Sequence, residues 1–591
     1  LRPPRLPGFR PEPQSRLSIE LAAAWLRVIP ASEIAQHIDF RFLTSSSRGV
    51  SERHRSAEAV FDYSWKLLSA AEAQALMKLS VFKGTLERDS ALRIAGASLP
   101  ILASLLEKSL IRRVGDEYYS MHELLRQYAF ERLTQHGEAD ATRDAHLGYY
   151  VAFTSDPDSR IHGEQQTCWL DRLESEHDDL RTAMTWAIEQ NTAETRDLGL
   201  RLGASIWEFW LMRGHITEGR QWLGLLLDAT QGTISEARSA ATQGAGYLAW
   251  IQGESDKAEV LHREGLAIRT AINDKAGMGG SLSNLGIVAW SRGDFAAARD
   301  FYEQALVARR EANYSLGVGS VLNNLSLLMQ EQSEYADAIA YAEQAWAIFK
   351  ELDDLQGIVH VLYNIGAMTY DQGNTERART ILEEALELAQ KLGDQRVEGG
   401  LLLNLGLALT SLGQCEAAHS RLDESLALMT HIGDKQHIAL IKRALARLAL
   451  VEGRVDDGLV LIDESLSYLR QPKGDVYLGQ ALSTKGELLR AHAELDAAAE
   501  TFREALALLI KSKQPQPIAE ALYSLGGTTF HQGQIESAER LIAVADALAQ
   551  RFDLLFPNHP EAIDRAAINV VPLDPALGLP ELLDFVQNAL G

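Results

Sequence analysis

Apolar residues recur every three to four positions along most of the chain, the spacing that gives an α-helix one buried face. Residues 17–29, Leu-Ser-Ile-Glu-Leu-Ala-Ala-Ala-Trp-Leu-Arg-Val-Ile, follow it until Pro30, and Ala31-Ser32-Glu33-Ile34-Ala35 opens another helix. A polar linker covers 44–55. Between 56 and 134 the pattern changes. Ala57 to Leu68 reads as a helix, and Ser69-Ala70-Ala71-Glu72 has the form of a capping box opening the next. Short helices over Ser90–Gly96 and Pro100–Lys108 precede two strands, Ser109–Arg113 and Glu117–Met121, around Val114-Gly115-Asp116. A last helix runs from His122 to Leu133. Helices followed by a β-hairpin predict a winged helix. From about 140 nothing alternates like a strand: helices are predicted over about 164–190 and 196–229.

Beyond that the chain repeats every 40 residues. One small-residue column is Gly246, Gly286, Ser326, Gly366, Gly406, Ala446, Gly486 and Gly526. Seven positions later stands a turn column: Gly253, Gly293, Ser333, Gly373, Gly413, Gly453, Ala493 and Gly533. Two further small columns begin at Ala258 and Gly265 and keep the phase through Ala538 and Ala545. Closely packed helices need small residues where their axes approach, and the glycine column supplies the turn between them. Each helix pair has an apolar face it cannot bury alone, so the pairs must stack.

The small residue, the alanine twelve positions on, the bulky residue at sixteen (Tyr302, Leu382, Leu422, Phe502) and the small residue at nineteen resemble the tetratricopeptide consensus. The longer period resembles the repeats of kinesin light chains. The resemblance implies an all-α, right-handed tetratricopeptide (TPR) α-solenoid over 238–558, and the helices and hairpin ahead of it predict a winged-helix module at 53–135. Helical or atypical repeats fill 140–237, a C-terminal cap covers 559–591, and a proline-rich disordered tail covers 1–16. It also implies that the first helix of each pair lines a concave groove. Two positions before the small column stand Asn284, Asn324, Asn364 and Asn404, and Trp290, Gln330 and Tyr370 lie six residues further on. An asparagine ladder is suited to the backbone of an extended peptide, being both donor and acceptor. The other reading is a bond to the adjacent repeat, and at this point both stand. The expected partner is a protein or peptide, and self-association is left open.

Composition narrows the function. Lys and Arg number 57 against 81 Asp and Glu, a net charge of −24. A chain this acidic repels phosphate backbones and anionic membranes. Its two cysteines, Cys168 and Cys415, exclude a disulfide framework and point to a reducing, cytoplasmic setting. No apolar run approaches ~20 residues, so no transmembrane helix is predicted. No His-Glu-x-x-His, zinc-spaced Cys/His cluster or Gly-x-Ser-x-Gly elbow occurs, so neither metal site nor catalytic set is expected. The chain starts at Leu1 with no apolar h-region, and reads as a piece of a longer protein.

A second resemblance rests on the Leu17–Ala23 helix, Phe61–Leu68, Leu79–Phe82, Ser104–Leu110, Met121–Ala129 and Leu173–Arg181. Together these resemble the back half of signal-transducing STAND ATPases of the NB-ARC type, from the helical domain (here a remnant at 17–50) through the winged helix to the repeat sensor. No Gly-x-x-x-x-Gly-Lys-Ser/Thr loop is present, and Gln14-Ser15-Arg16 stands where the family has Gly-Leu-Pro. No cofactor is therefore expected, and ATP or ADP only if an upstream nucleotide-binding domain exists. By resemblance His122 is the nucleotide-sensing histidine; by its place it opens a helix. The expected function is a non-catalytic interaction scaffold and sensor, the regulatory half of a STAND-type switch. The alternatives are a transcriptional regulator binding DNA directly or through a fused domain, and an ATP/ADP-binding signalling ATPase.

Overall fold

The computed structural model describes residues 61–155, 164–552 and 579–590, with 554, 570–573 and 577, apart from gaps at 63, 116–117, 191, 333, 470–474 and 513. The helices expected before residue 57, and the tail at 1–16, lie outside the described residues.

The front of the chain is a small α/β module. Helix α1 (Ala70–Leu79) starts at the predicted capping box: Glu72 N donates to Ser69 Oγ at 3.3 Å and Ser69 N to a Glu72 oxygen at 2.7 Å. Strand β1 (Leu86–Glu87), α2 (Arg88–Ala95) and α3 (Leu99–Glu107) follow, then the predicted hairpin, β2 (Ile111–Val114) and β3 (Tyr118–Met121). The sheet is antiparallel in the order β1-β3-β2, with Ile111 opposite Met121 and Val114 opposite Tyr118. Helix α4 (Glu123–Gln135) closes the module, whose core includes Leu76, Leu79, Leu102, Leu105, Leu125 and Leu133.

Helices α5 (Ala139–Thr154), α6 (Glu164–Ser175), α7 (His177–Gln190), α8 (Ala193–Ser205), α9 (Trp207–Met212) and α10 (Ile216–Ala229) come next. They enclose a second core around Tyr150, Met184, Phe209 and Trp210. Asp179 on α7 is fully buried and accepts the Lys83 and Gly84 amides at 2.7 and 3.2 Å, which ties this helical segment to the front module.

The 40-residue columns then resolve into helix pairs: α11 (Glu236–Ile251) with α12 (Ser255–Ala271), α13 (Lys275–Ser291) with α14 (Phe295–Glu311), and α15 (Ser315–Glu331) with α16 (Tyr335–Glu351). They continue as α17 (Leu355–Asp371) with α18 (Thr375–Leu392), α19 (Gln395–Ser411) with α20 (Cys415–Ile432), and α21 (Lys435–Val451) with α22 (Val455–Leu469). The last pairs are α23 (Asp475–Ala491) with α24 (Leu495–Ser512) and α25 (Pro515–His531) with α26 (Ile535–Arg551). The chain ends in α27 (Leu579–Leu590), which packs on α26 with Leu582 and Val586 buried. Two compact units divide between Ile272 and Asn273, inside the periodic region.

The columns have a direct steric cause. A Cβ added to Gly286 would lie 2.5 Å from the Tyr302 ring, and one on Gly486 2.7 Å from Phe502. The bulky residue at sixteen thus sits on the small residue of its own repeat. Each such ring or branched side chain stabilises the pair by about 1.5–3 kcal/mol. The alanine column is fully buried, as at Ala298, Ala338 and Ala498. Where serine replaces alanine at nineteen, its hydroxyl is satisfied: Ser425 donates to Gly399 O and Ser465 to Ala439 O, both at 2.7 Å. The turn column has positive φ wherever described, including Ala493 at 65°. A second turn, between repeats, uses Asn273, Asn313 and Asp353 with φ of 51–58°, then Gly393 and Gly433.

Candidate functional site: the lumen of the second unit

Each asparagine and aromatic of the predicted groove lies on a first helix: Asn284 and Trp290 on α13, Asn324 and Gln330 on α15, Asn364 and Tyr370 on α17, and Asn404 on α19. All seven are half-buried. One asparagine bonds the adjacent repeat and another lies against it. Asn364 Nδ2 donates to Asn323 Oδ1 at 2.9 Å, and Asn404 stands beside the Tyr363 hydroxyl. The same offset of 41 residues pairs Gln330 Nε2 with Asp371 Oδ2 at 3.4 Å and the Tyr370 and Ser411 hydroxyls at 3.0 Å. A polar ladder therefore joins adjacent first helices along the face that the asparagines mark.

That face is enclosed. Tyr335 OH donates to Gln516 Oε1 at 2.5 Å, and Gln514 Nε2 donates to Glu331 Oε2 at 2.6 Å. These bonds join residues 181 and 183 positions apart, so the second unit returns on itself after four to five repeats. Charged groups from distant helices then share one interior. Asp371 on α17 faces Arg443 on α21 and Glu520 on α25; Arg447 faces Tyr370, Glu487 and Glu520; Tyr363 faces Tyr477 on α23. Solvent reaches this interior at Tyr477, which keeps 38% of its surface exposed.

Its electrostatics follow from dense protein around partly hydrated groups. Burial, with the Glu520 charge beside it, pushes Asp371 up to about 7. Burial and the neighbouring Arg447 bring Arg443 down to about 10. Arg447 moves up, facing Tyr370 and then Glu487 and Glu520. The two guanidiniums are one turn apart on α21, so like charges lie side by side. Arg443 donates to Gln480 Oε1 at 2.9 Å, while its Nε is buried with no hydrogen-bond partner among the described residues. The sequence reading missed Arg443, Arg447, Glu487 and Asp371. It followed identities that recur down a column, and these residues differ from their counterparts in other repeats. The available signal was position on the first helices: Arg443 stands three before the small column, Arg447 and Glu487 one after it, and Asp371 five after it.

In the first unit His122 is exposed and caps α4, its Nδ1 accepting the Leu124 amide at 3.3 Å. The arginines of that helix are engaged. Arg126 is bidentate to Glu123 at 2.8 Å and reaches Ser80 O at 3.1 Å, and Arg132 lies 2.5 Å from Asp62. Glu176 is buried against the Tyr150 hydroxyl at 2.5 Å, and burial, opposed by that bond and reinforced by Asp179, pushes it up to about 8.

Comparison with known proteins bears on the repeat array. A tetratricopeptide-repeat family model matches residues 236–311, 277–351 and 358–431. A Mycobacterium tuberculosis protein provisionally named as an HTH-type transcriptional regulator is 31% identical over 226 residues, which is 36% of this chain and 25% of that protein. An uncharacterised protein of the same organism is 32% identical over 138 residues, 21% of this chain and 35% of that one. The chain thus spans a quarter to about a third of the length of these relatives. Among solved structures, a STAND protein with a tetratricopeptide repeat sensor from Pyrococcus horikoshii is similar over 90% of this chain and 71% of its own, at 16% identity and a TM-score of 0.39. A Rap protein complexed with competence and sporulation factor is similar over 60% and 98%, at 15% identity and 0.46. With the columns, the helix pairs and the family model in agreement, the array of this chain is an all-α tetratricopeptide-repeat solenoid.

Proposed function

We propose that the chain is a non-catalytic, cytoplasmic scaffold and sensor whose second unit holds an extended acidic peptide or protein segment in its lumen. The observation that carries the reading is the Arg443–Arg447 pair, two adjacent guanidiniums with donors to spare inside an enclosed polar face. Guanidinium donors pair in bidentate fashion with carboxylates, and partial desolvation strengthens that bond. The ladder residues Asn284, Asn324, Trp290 and Gln330 extend the face along which the segment runs. The sequence resemblance supports reading this sensor as the regulatory half of a STAND-type switch, with the front module relaying its state. The pairing of Arg126 and Arg132 within that module supports a role other than phosphate contact for α4.

The test is a peptide selection against the full chain, followed by calorimetry on the selected peptides. Acidic peptides are expected, with affinity lost at least tenfold in Arg443→Glu/Arg447→Glu. Affinity is also expected to fall as pH rises through about 7, where Asp371 ionises and supplies the arginines with an internal counter-charge. Peptides that bind equally well to the double variant would sink the proposal.

A further inference from the structure

Three side chains that the sequence keeps far apart meet in the first unit. Glu174 lies near the end of α6, His177 opens α7, and His215 precedes α10 as its N-cap. His177 is only 5% exposed, and its Nε2 has no hydrogen-bond partner among the described residues. Glu218 Oε1, 3.4 Å away, is already taken by Arg181 Nε at 2.5 Å and Trp222 Nε1 at 3.2 Å. His215 Nε2 lies 3.2 and 3.1 Å from the two Glu174 oxygens. The two imidazole rings are 4.8 Å apart, and the Phe209 ring meets His177 edge-on at 5.1 Å.

One ligand atom from each of the three residues lies within 4.8 Å of the others. Two ligands held tetrahedrally about 2.0–2.1 Å from zinc stand about 3.4 Å apart. The Glu174–His215 spacing is already close to that. Small rotations of the exposed Glu174 and half-exposed His215 side chains bring His177 into range, with the buried histidine as the fixed member. The surroundings suit a cation: Glu174, Glu218 and Asp178 carry three negative charges against the one on Arg181, which bonds both Glu218 and Asp178.

We infer that Glu174, His177 and His215 form a binding site for a divalent transition-metal ion of the zinc class, with water completing the coordination. Two imidazoles and a carboxylate select such ions over magnesium or calcium, which prefer all-oxygen shells. The bound ion would clasp the α6–α7 junction to the start of α10. Sequence spacing could not reveal this, because 38 positions separate the two histidines and the fold alone brings them together.

The experiment is calorimetric titration of the chelator-treated full chain with zinc chloride, and separately with magnesium chloride. One equivalent of zinc is expected to bind, with no magnesium heat. In Glu174→Gln and in His215→Ala, both at accessible positions, the affinity is expected to drop at least tenfold while the far-ultraviolet circular dichroism stays that of the parent. X-ray absorption at the zinc edge is expected to show two imidazole nitrogens. Absence of stoichiometric zinc binding, or zinc binding unchanged in both variants, would overturn the site.

Discussion

At the scale of single residues, the clearest consequence concerns Glu176. Its carboxyl is buried, one oxygen accepts from Tyr150, and the other has no hydrogen-bond partner among the described residues. An acid raised from 4.5 to about 8 holds its proton more tightly in the folded chain than in the unfolded one. That preference favours folding fully below pH 4.5 and fades as pH climbs, until it is gone above about 8. Glu176→Gln keeps the shape and removes the titration. The variant is therefore expected to gain melting temperature on the parent steadily between pH 5 and pH 8, with a constant difference below pH 4.5. Parallel melting curves for both proteins across that range would show that Glu176 ionises normally. Residues of this kind were only partly legible in the sequence. The Ser69–Glu72 capping box was, because it needs only local spacing. The environment of Glu176 was not: Asp179 stands only three residues on, but the burial and the Tyr150 hydroxyl come from helix packing that no local pattern announces. His122 could be placed at the start of a helix, and the structure adds the bond it makes there.

At the scale of elements, the sequence announced most of the solenoid, because the steric rule repeats with every turn of the stack. Gly286 under Tyr302 and Gly486 under Phe502 are the same contact 200 residues apart, and this recurrence makes a column visible. Strand β1 was invisible because two residues carry no alternation, and only pairing with β3 defines it. The exception inside a column is equally informative. Ala493 occupies the left-handed turn that glycine fills in neighbouring repeats, at φ 65°. An L-residue there costs roughly 1–2 kcal/mol, and glycine returns part of that gain as unfolded-chain entropy, roughly 0.5–1 kcal/mol. Ala493→Gly is thus expected to stabilise the array by about 0.5–1 kcal/mol, read as a higher urea midpoint. A lower midpoint would mean that the alanine methyl packs usefully enough to outweigh the strain.

At the scale of the whole second unit, the closing contact changes how the array should behave. A solenoid whose repeats touch only their neighbours flexes like a spring, with stability close to a sum of local terms. Here Tyr335 and Glu331 also reach Gln516 and Gln514, so one turn is tied shut. The two bonds together are worth about 2–4 kcal/mol, with the one to the Glu331 carboxylate the larger. That is small beside the packing of the helix pairs, but it acts on the soft bending of the stack. Removing it in Tyr335→Phe/Gln514→Ala should leave the melting temperature within a few degrees of the parent while the turn opens. Spin labels at Glu334 and Lys511, both exposed, report the gap once Cys168 and Cys415 are replaced by serine. The distance distribution is expected to lengthen and broaden in the double variant. A lumen ligand that bridges α17, α21 and α25 should restore it, since it supplies across the interior what the bonds supplied at the rim. If the distribution stays narrow and unshifted, helix stacking alone sets the pitch. The lumen would then be a rigid tube rather than a closing grip, and ligand binding could not be transmitted by its opening.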